Sequence, residues 1–191
     1  MPVNSLEQAR IRKALEVKGK TLCFRDATTQ DASFVHSLRT DAKKSRYLSP
    51  VGQALSEQCH WLERYSKQSD QAYFIIEFKN QPIGTVRLYD PRGDSFCWGS
   101  WILINERPDH AAVESALMVY HFALDHLGFT SAHFDVRKAN ERVWRFHERF
   151  GAQRVSETEQ DLFYRLDQPS IRASLHRYRR YLDGGVNVKF A

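Results

Sequence analysis

The sequence predicts a mixed α/β (α+β) domain built on a mostly antiparallel sheet. Three observations predict it. Strand-like segments follow one another with only short turns between residues 72 and 104. The most regular apolar repeat, over residues 111–127, has the three- and four-residue steps of a helix packed on a sheet. Beyond it the order runs strand, helix, strand, strand, so the second half alternates where the first half meanders. A chain of 191 residues suits one core rather than two.

The elements follow in order. Residues Ser5 to Lys20 carry Leu6, Ala9, Ala14, Leu15 and Val17 among many charges and predict a helix lying on the body. Thr21 to Arg25 reads as a short strand. Thr29-Gln30-Asp31 then opens a helix through Phe34, Val35 and Leu38, with Asp31 placed to accept free amide protons. Ser49-Pro50 breaks the chain before a second helix, where Ser56, Cys59, Leu62 and Tyr65 recur at three-residue steps. Ala72 to Phe78, the turn Lys79-Asn80-Gln81-Pro82 and Ile83 to Tyr89 form a hairpin. The turn formers Asp90 to Asp94 lead into Phe96 to Ile104, whose aromatic and β-branched content predicts a third antiparallel strand. In the helix that follows, Val113, Ala116, Leu117, Tyr120, Ala123, Leu124 and Leu127 share a face until Gly128 ends it. Ser131 to Arg137 is the returning strand. Asn140 starts a helix with Val143, Phe146, His147 and Phe150 on one side, ended by Gly151. Gln153 to Val155 and Leu162 to Leu166 give two short strands, and Pro169 to Asp183 gives a basic helix.

Composition narrows the class. With 42% hydrophobic and 13% aromatic residues the chain has the apolar content of a folded globule, which excludes disorder. No apolar run approaches the roughly 18 residues of a membrane span, and the first residues lack a secretory signal pattern, so a cytoplasmic protein without membrane insertion is expected. Cys23, Cys59 and Cys97 are odd in number and lack metal-ligand spacing; reduced thiols and no metal are expected. An excess of 28 basic over 23 acidic residues gives +5, and a pI near 9.2 suits phosphate-bearing ligands without selecting one.

The succession of elements over Leu22 to Leu166 resembles the GNAT acetyltransferase superfamily. The segment Val136-Arg137-Lys138-Ala139-Asn140 through Phe150-Gly151-Ala152 sharpens the likeness, being similar to the family's ending of strand, Asn, helix and glycine turn. The branch it resembles holds ribosomal-protein, amino-sugar and small-antibiotic acetyltransferases. The resemblance implies a GNAT-like sheet splayed between its fourth and fifth strands, with helices on both faces. It also implies residues 21–167 as the acetyltransferase domain, residues 1–20 as an N-terminal helical extension and residues 168–191 as a basic C-terminal helix and tail. Acetyl-CoA is the implied co-substrate. The family's pyrophosphate loop corresponds to Arg107-Pro108-Asp109-His110-Ala111-Ala112, with His110 standing where glycine is usual. A side chain there could shift or weaken the cofactor, while small Ala111 and Ala112 and the helix start at Val113 still offer free N–H groups to phosphates.

In such a domain the pantetheine arm would lie along Leu103 and Ile104, and strand amides freed at the splay would hold the charge developing on the thioester oxygen. His147 aligns with the position where many members carry a tyrosine, and a near-neutral imidazole could protonate the departing thiolate. It could equally complete the apolar face of its helix. Glu77, Glu106, His133 and Asp135 stand on or beside strands as candidate bases, Glu106 and Asp135 foremost for catalysis, with water as the alternative. Asn140 has two roles open, capping its helix and bonding the cofactor arm. Trp98, Trp101 and Tyr89 are either core or the wall of an acceptor pocket, since the two sides of a strand face different layers.

Three functions follow. The first is direct N-acetyl transfer to a small primary amine, a nucleotide-linked amino sugar being the first acceptor to try. The second makes the acceptor a protein N-terminal amine. The third is a catalytically silent CoA- or RNA-binding module, prompted by His110 and by Arg177, Arg179 and Arg180 in the tail. A solvated helix or a homodimer contact explains that tail better than nucleic acid does.

Overall fold

The computed structural model describes residues 8–48 and 50–190. Along the chain come β1 (Ala14–Lys18), β2 (Leu22–Asp26), α1 (Ala32–Thr40), α2 (Leu55–Ser66), β3 (Ala72–Phe78), β4 (Gln81–Arg92) and β5 (Ser95–Leu103). Then follow α3 (Ala111–His121), β6 (Ser131–Arg137), α4 (Glu141–Arg149), β7 (Gln153–Glu157), β8 (Asp161–Asp167), α5 (Gln168–Arg177) and β9 (Asn187–Phe190). All these strands join one sheet in the order β7-β8-β6-β5-β4-β3-β2-β1-β9. Only β5 and β6 pair in parallel; the other neighbours are antiparallel.

Both faces of the sheet are covered, as the alternation along β3 makes plain. Phe74 and Ile76 join the larger core with Leu117, Phe122, Phe150 and Ile171 from the α3, α4 and α5 side. Tyr73 and Ile75 point the other way, into a smaller core with Val35 of α1 and Leu62 and Tyr65 of α2. Every residue of α3 from Glu114 to Tyr120 is buried, because the sheet lies beneath it and α5 packs beside it. Helix α3 runs on into a π-turn over Phe122–His126, so the long apolar repeat of the sequence is one continuous helical rod with a widened last turn. Ahead of α1, the Asp31 carboxylate accepts the Thr28 N–H at 2.7 Å and grips Arg25 at 2.9 Å.

The two ends of the chain correct the sequence reading. The helix expected over Ser5 to Lys20 is instead β1 over its last part; Ser5 to Glu7 lie outside the described residues. Ala14 and Val17 are fully buried three residues apart, a helical spacing, but a bulge between Ala14 and Glu16 in the pairing with β9 supplies it. The tail helix stops at Arg177 rather than Asp183. Gly184 and Gly185, with φ of +82° and +79°, then turn the chain into β9, a strand the sequence reading lacked. Smaller differences occur at the hairpin, where Lys79 and Asn80 alone form the turn, both with positive φ, and Gln81 and Pro82 begin β4.

The parallel pair is short. Only Ser95↔Ser131, Phe96↔Ala132 and Cys97↔His133 are in register. Past them β5 stays with β4 as far as Leu103 while β6 stays with β8 as far as Arg137, so the sheet opens between the two.

Candidate active site

A bulge in β5 sits where the sheet opens. The β4–β5 register steps from Thr85↔Ile102 to Arg87↔Gly99, three residues on β5 against two on β4. Ser100 takes up the surplus with φ +46°, a left-handed conformation that a side-chain-bearing residue adopts only at a cost of about 1–3 kcal/mol. Its carbonyl accepts the Thr85 hydroxyl at 2.8 Å. Gly84 makes the approach possible, since a Cβ there would stand 2.2 Å from the Ile102 carbonyl oxygen.

The bulge also resets which way side chains point. Simple alternation would send residues 98 and 101 to opposite faces; the extra residue sends both indoles to α3. Trp98 donates to the Tyr120 hydroxyl at 3.3 Å and Trp101 to Ser115 Oγ at 3.1 Å. Trp98 is only 4% exposed and packs on Tyr120, Phe134 and His147, which leaves little indole for an acceptor to stack on. The stacking role expected for Trp98 is corrected on that ground; Trp101 is half-buried and borders the smaller cavity, and Tyr89 borders a larger open one.

A wedge-shaped cavity of about 140 Å³ occupies the opening, bordered among others by Ser100, Trp101, Phe134, Asp135, Asn140 and His147. Asn140 is the N-cap residue of α4, yet its side chain makes no capping bond, so its amide is uncommitted at the cavity wall. That departs from the expected cap. His147 is enclosed by Trp98, Trp101, Phe134 and Phe146, with the Phe134 ring centroid at 4.3 Å. Burial pushes its pKa down to about 3, and Nδ1 is sealed without a hydrogen-bond partner. The expectation of a near-neutral imidazole is therefore corrected: with no nearby charge to support a proton, the ring is neutral at physiological pH.

A larger cavity of about 720 Å³ adjoins it. The two share Tyr47, Leu48, Trp98, Gly99, Ser100 and Asp135, so they meet at the bulge. Arg39 of α1, Trp61 and Arg64 of α2, and Arg87 and Tyr89 of β4 line the larger one. The guanidinium of Arg87 lies 4.6 Å from the Tyr89 ring and 5.4 Å from the Trp61 ring. Three arginines face two carboxylates, Glu57 and Asp135, so the cavity is cationic. Asp135 stands open at the junction. Loss of water contact, then the Asp161 carboxylate, raise its pKa above the ordinary value.

The other candidates fall elsewhere. Glu106 is exposed in the connection after β5 and borders neither cavity. Glu77 is held by Arg25 at 3.0 Å, and His133 is held between Ser95 at 2.7 Å and Asp90 at 3.4 Å, both in structural roles. Leu103 and Ile104 lead from β5 toward the start of α3. Arg107 donates to the Ile104 carbonyl at 2.7 Å while its Nε is buried and unpartnered. His110 is the N-cap of α3 with φ −78°, a conformation that needs no glycine. Its ring is drawn aside to Thr21 Oγ1 at 2.8 Å, beside the buried Glu114 carboxylate, which accepts the N–H groups of Thr21 and Leu22 at 2.6 and 3.0 Å. No side chain caps α3; the Ala111 N–H donates to the Pro108 carbonyl at 3.0 Å, and the first-turn N–H groups of Ala112 and Val113 keep their capacity for an anion. At the positive end of α3, these N–H groups fit a phosphate of the cofactor. Sequence reasoning missed Arg39, Trp61, Arg64 and Arg87. For two of them a signal existed: Glu57, Trp61 and Arg64 recur at helical spacing, a polar and aromatic stripe away from buried Leu62 and Tyr65.

Comparison with known proteins bears on the whole arrangement. The family model described as an acetyltransferase (GNAT) domain matches residues 21–153. Among solved structures, apo FdhC, a nucleotide-linked sugar GNAT, is 37% identical with a TM-score of 0.79, covering 87% of this chain and 98% of that one. A GCN5-related N-acetyltransferase from Brucella melitensis, 17% identical, has a TM-score of 0.75 over 94% of this chain and 90% of its own. Spermidine N-acetyltransferase from Vibrio cholerae, in complex with CoA and spermine, is 16% identical with a TM-score of 0.69 over 80% of this chain and 98% of its own. The last two likenesses speak for the fold. No curated protein sequence matches the chain. A sheet opened beside a bulged strand, together with a domain match over most of the length, means that this chain belongs to the GNAT acetyltransferase family.

Proposed function

We propose that the protein moves the acetyl group of acetyl-CoA directly to the primary amine of a nucleotide-linked amino sugar. The larger cavity carries the choice of acceptor. It is cationic, edged by aromatic rings and continuous with the wedge at Ser100 and Asp135, which suits a ligand with a flat base, a diphosphate and an amine at its far end. Its volume lies in the range of small-molecule sites. The description of the 37%-identical FdhC as a nucleotide-linked sugar GNAT points the same way. A polyamine would meet three like-charged arginines.

Acetyl-CoA, the usual co-substrate of the family, supplies an activated thioester. Leu103 and Ile104 would flank its pantetheine arm, Asn140 would hydrogen-bond that arm, and Arg107, His110, Ala111, Ala112 and Val113 would surround its pyrophosphate. Main-chain N–H groups on the unpaired edge of β5 polarise the thioester carbonyl. Asp135, its basicity raised by its surroundings, takes a proton from the incoming ammonium and releases it to water. As the C–N bond forms and the C–S bond breaks, the proton shed by nitrogen goes to Asp135, neutral His147 donates a hydrogen bond from Nε2–H to the leaving sulfur, and water protonates the thiolate.

The test is release of CoA thiol from acetyl-CoA in the presence of nucleotide-linked amino sugars, free amino sugars, polyamines and peptides with free N-termini. A kcat/KM at least about 100-fold higher for one nucleotide-linked amino sugar is expected, the discrimination that buried polar contacts provide. A free sugar, polyamine or peptide that outperforms every nucleotide-linked amine would overturn the acceptor.

A further inference from the structure

Arg87 arises from the middle of β4, paired with Tyr73 on one side and Gly99 on the other, so its backbone is held on both edges. Its Nε donates to Oε1 of buried Gln71 at 2.6 Å, which fixes the plane of the guanidinium. The Tyr89 and Trp61 rings flank it, and among the described residues no carboxylate pairs with it. Half-buried, it loses hydration, which lowers its pKa; the like charge of Arg39 lowers it further. Two cations near enough to oppose one another, on the wall of an open cavity, are stabilised when an anion comes between them. Arg39 reaches from α1 and donates to Ser100 Oγ at 3.3 Å, so this cationic pair is tied to the bulge itself.

We infer that Arg87 and Arg39 together clamp the diphosphate of the acceptor and so fix how far its amine falls from the bulge. The inference rests on the acceptor reading above and deepens it. A guanidinium fork suits phosphate oxygens through parallel N–H bonds, and with Nε committed to Gln71 the Nη nitrogens of Arg87 remain for the ligand. Because Arg39 is anchored on Ser100, a phosphate held by the pair lies on the cavity wall next to the bulge. Of the rings on this cavity's wall away from the junction, Trp61 is left for the base. The clamp makes the diphosphate a specificity element: an amino sugar without it loses its register, whatever the position of its amine.

The experiment is calorimetric titration of the full chain with uridine diphosphate, thymidine diphosphate and CoA, for wild type, Arg87→Gln, Arg87→Lys and Arg39→Gln. Wild type is expected to bind at least one of the two nucleoside diphosphates. Arg87→Gln should weaken that binding at least about tenfold, and Arg87→Lys should fail to restore it because an ammonium lacks the fork. CoA affinity should stay within about twofold, which also shows that the variants are folded. In turnover, the rise should fall on KM for the nucleotide-linked amine rather than on kcat. Wild type that binds a nucleoside diphosphate no better than Arg87→Gln does would overturn the clamp and leave the acceptor reading standing. Wild type that binds neither would overturn both. Should Arg87→Gln lose CoA as well, Arg39→Gln decides, and an unchanged diphosphate affinity there overturns the clamp.

Discussion

His147 joins chemistry to stability through one property, its burial. With a folded pKa near 3 against an ordinary value of 6.5, the unfolded chain takes up the proton first. Stability is unaffected by this residue above pH 6.5 and falls as the pH drops from there toward 3, by about 1.4 kcal/mol per pH unit at most. Denaturant unfolding at pH 7 and pH 5 should show that loss in wild type and a smaller one in His147→Phe; equal losses would mean that the ring is not held neutral. The same variant should lower kcat about 100-fold, as expected when a hydrogen-bond donor to the leaving group is removed, with the CoA dissociation constant unchanged. Asp135 offers the complementary pH experiment. Its raised pKa predicts that kcat/KM falls as acid protonates the carboxylate, at a pH above the ordinary aspartate range. Asp135→Asn should lower the rate and abolish that limb, and a profile identical to wild type would remove Asp135 from the mechanism. The place of His147 and Asn140 was legible because they lie in the one segment, residues 136–152, where the family likeness is densest, whereas Asp135 was one of four candidates beside strands that only the cavity geometry singles out. Arg39, Trp61, Arg64 and Arg87 were not legible: they come from α1, α2 and β4, and only the folded sheet assembles them.

At the level of elements, irregular strands hold the information that pattern reading loses. Period-two alternation is the signal for a strand, and each bulge shifts its phase by one. In β1 the shift left Ala14 and Val17 buried three apart, so a strand looked like a helix. In β5 it turned Trp98 and Trp101 to the same side, toward α3, where plain alternation puts them on opposite faces. Helix α3, with its unbroken apolar repeat, was legible because nothing interrupts its period, and the β3–β4 hairpin because its one register shift, between Ile76 and Glu77, lies close to the turn. The β5 bulge is also where a substitution should reach function without touching any substrate. Gly84→Ala sets a Cβ against the Ile102 carbonyl, backbone that cannot swing away as a side chain would. A loss of about 2 kcal/mol in stability is expected for overpacking of this kind. Because the strain pushes on the bulge, KM for acetyl-CoA should rise as well. Normal stability with normal KM would mean that β4 and β5 approach each other less closely than Gly84 indicates.

On the scale of the whole molecule, the chain brings its two ends together at the edge of the sheet farthest from the chemistry. Strand β9 pairs with β1 through Val17↔Val188 and Lys18↔Asn187. Phe190 reaches Phe122 of the π-turn at 6.2 Å and carries the Arg12 guanidinium 4.0 Å above its ring. Strands β4, β3, β2 and β1 stand between β9 and the opened strand β5. Removing residues 187–191 therefore tests whether stability and catalysis are separable here. The deletion uncovers part of the core around Phe122 and leaves β1 as an unprotected edge. A loss of about 2 kcal/mol is a reasonable expectation for two half-buried apolar side chains and one short ladder, which lowers Tm by roughly 4–8 °C in a domain of this size. Below that lower Tm, kcat and KM for both substrates should match the full chain, because the wedge, the bulge and the cationic cavity are built from other elements. A disturbance can travel inward through the bonds that tie Thr21 and Leu22, beside the β1–β2 turn, to His110 and Glu114 at the start of α3. A deletion that leaves the fold intact but raises KM for acetyl-CoA alone would show that these bonds, and not distance, decide how far the edge is felt.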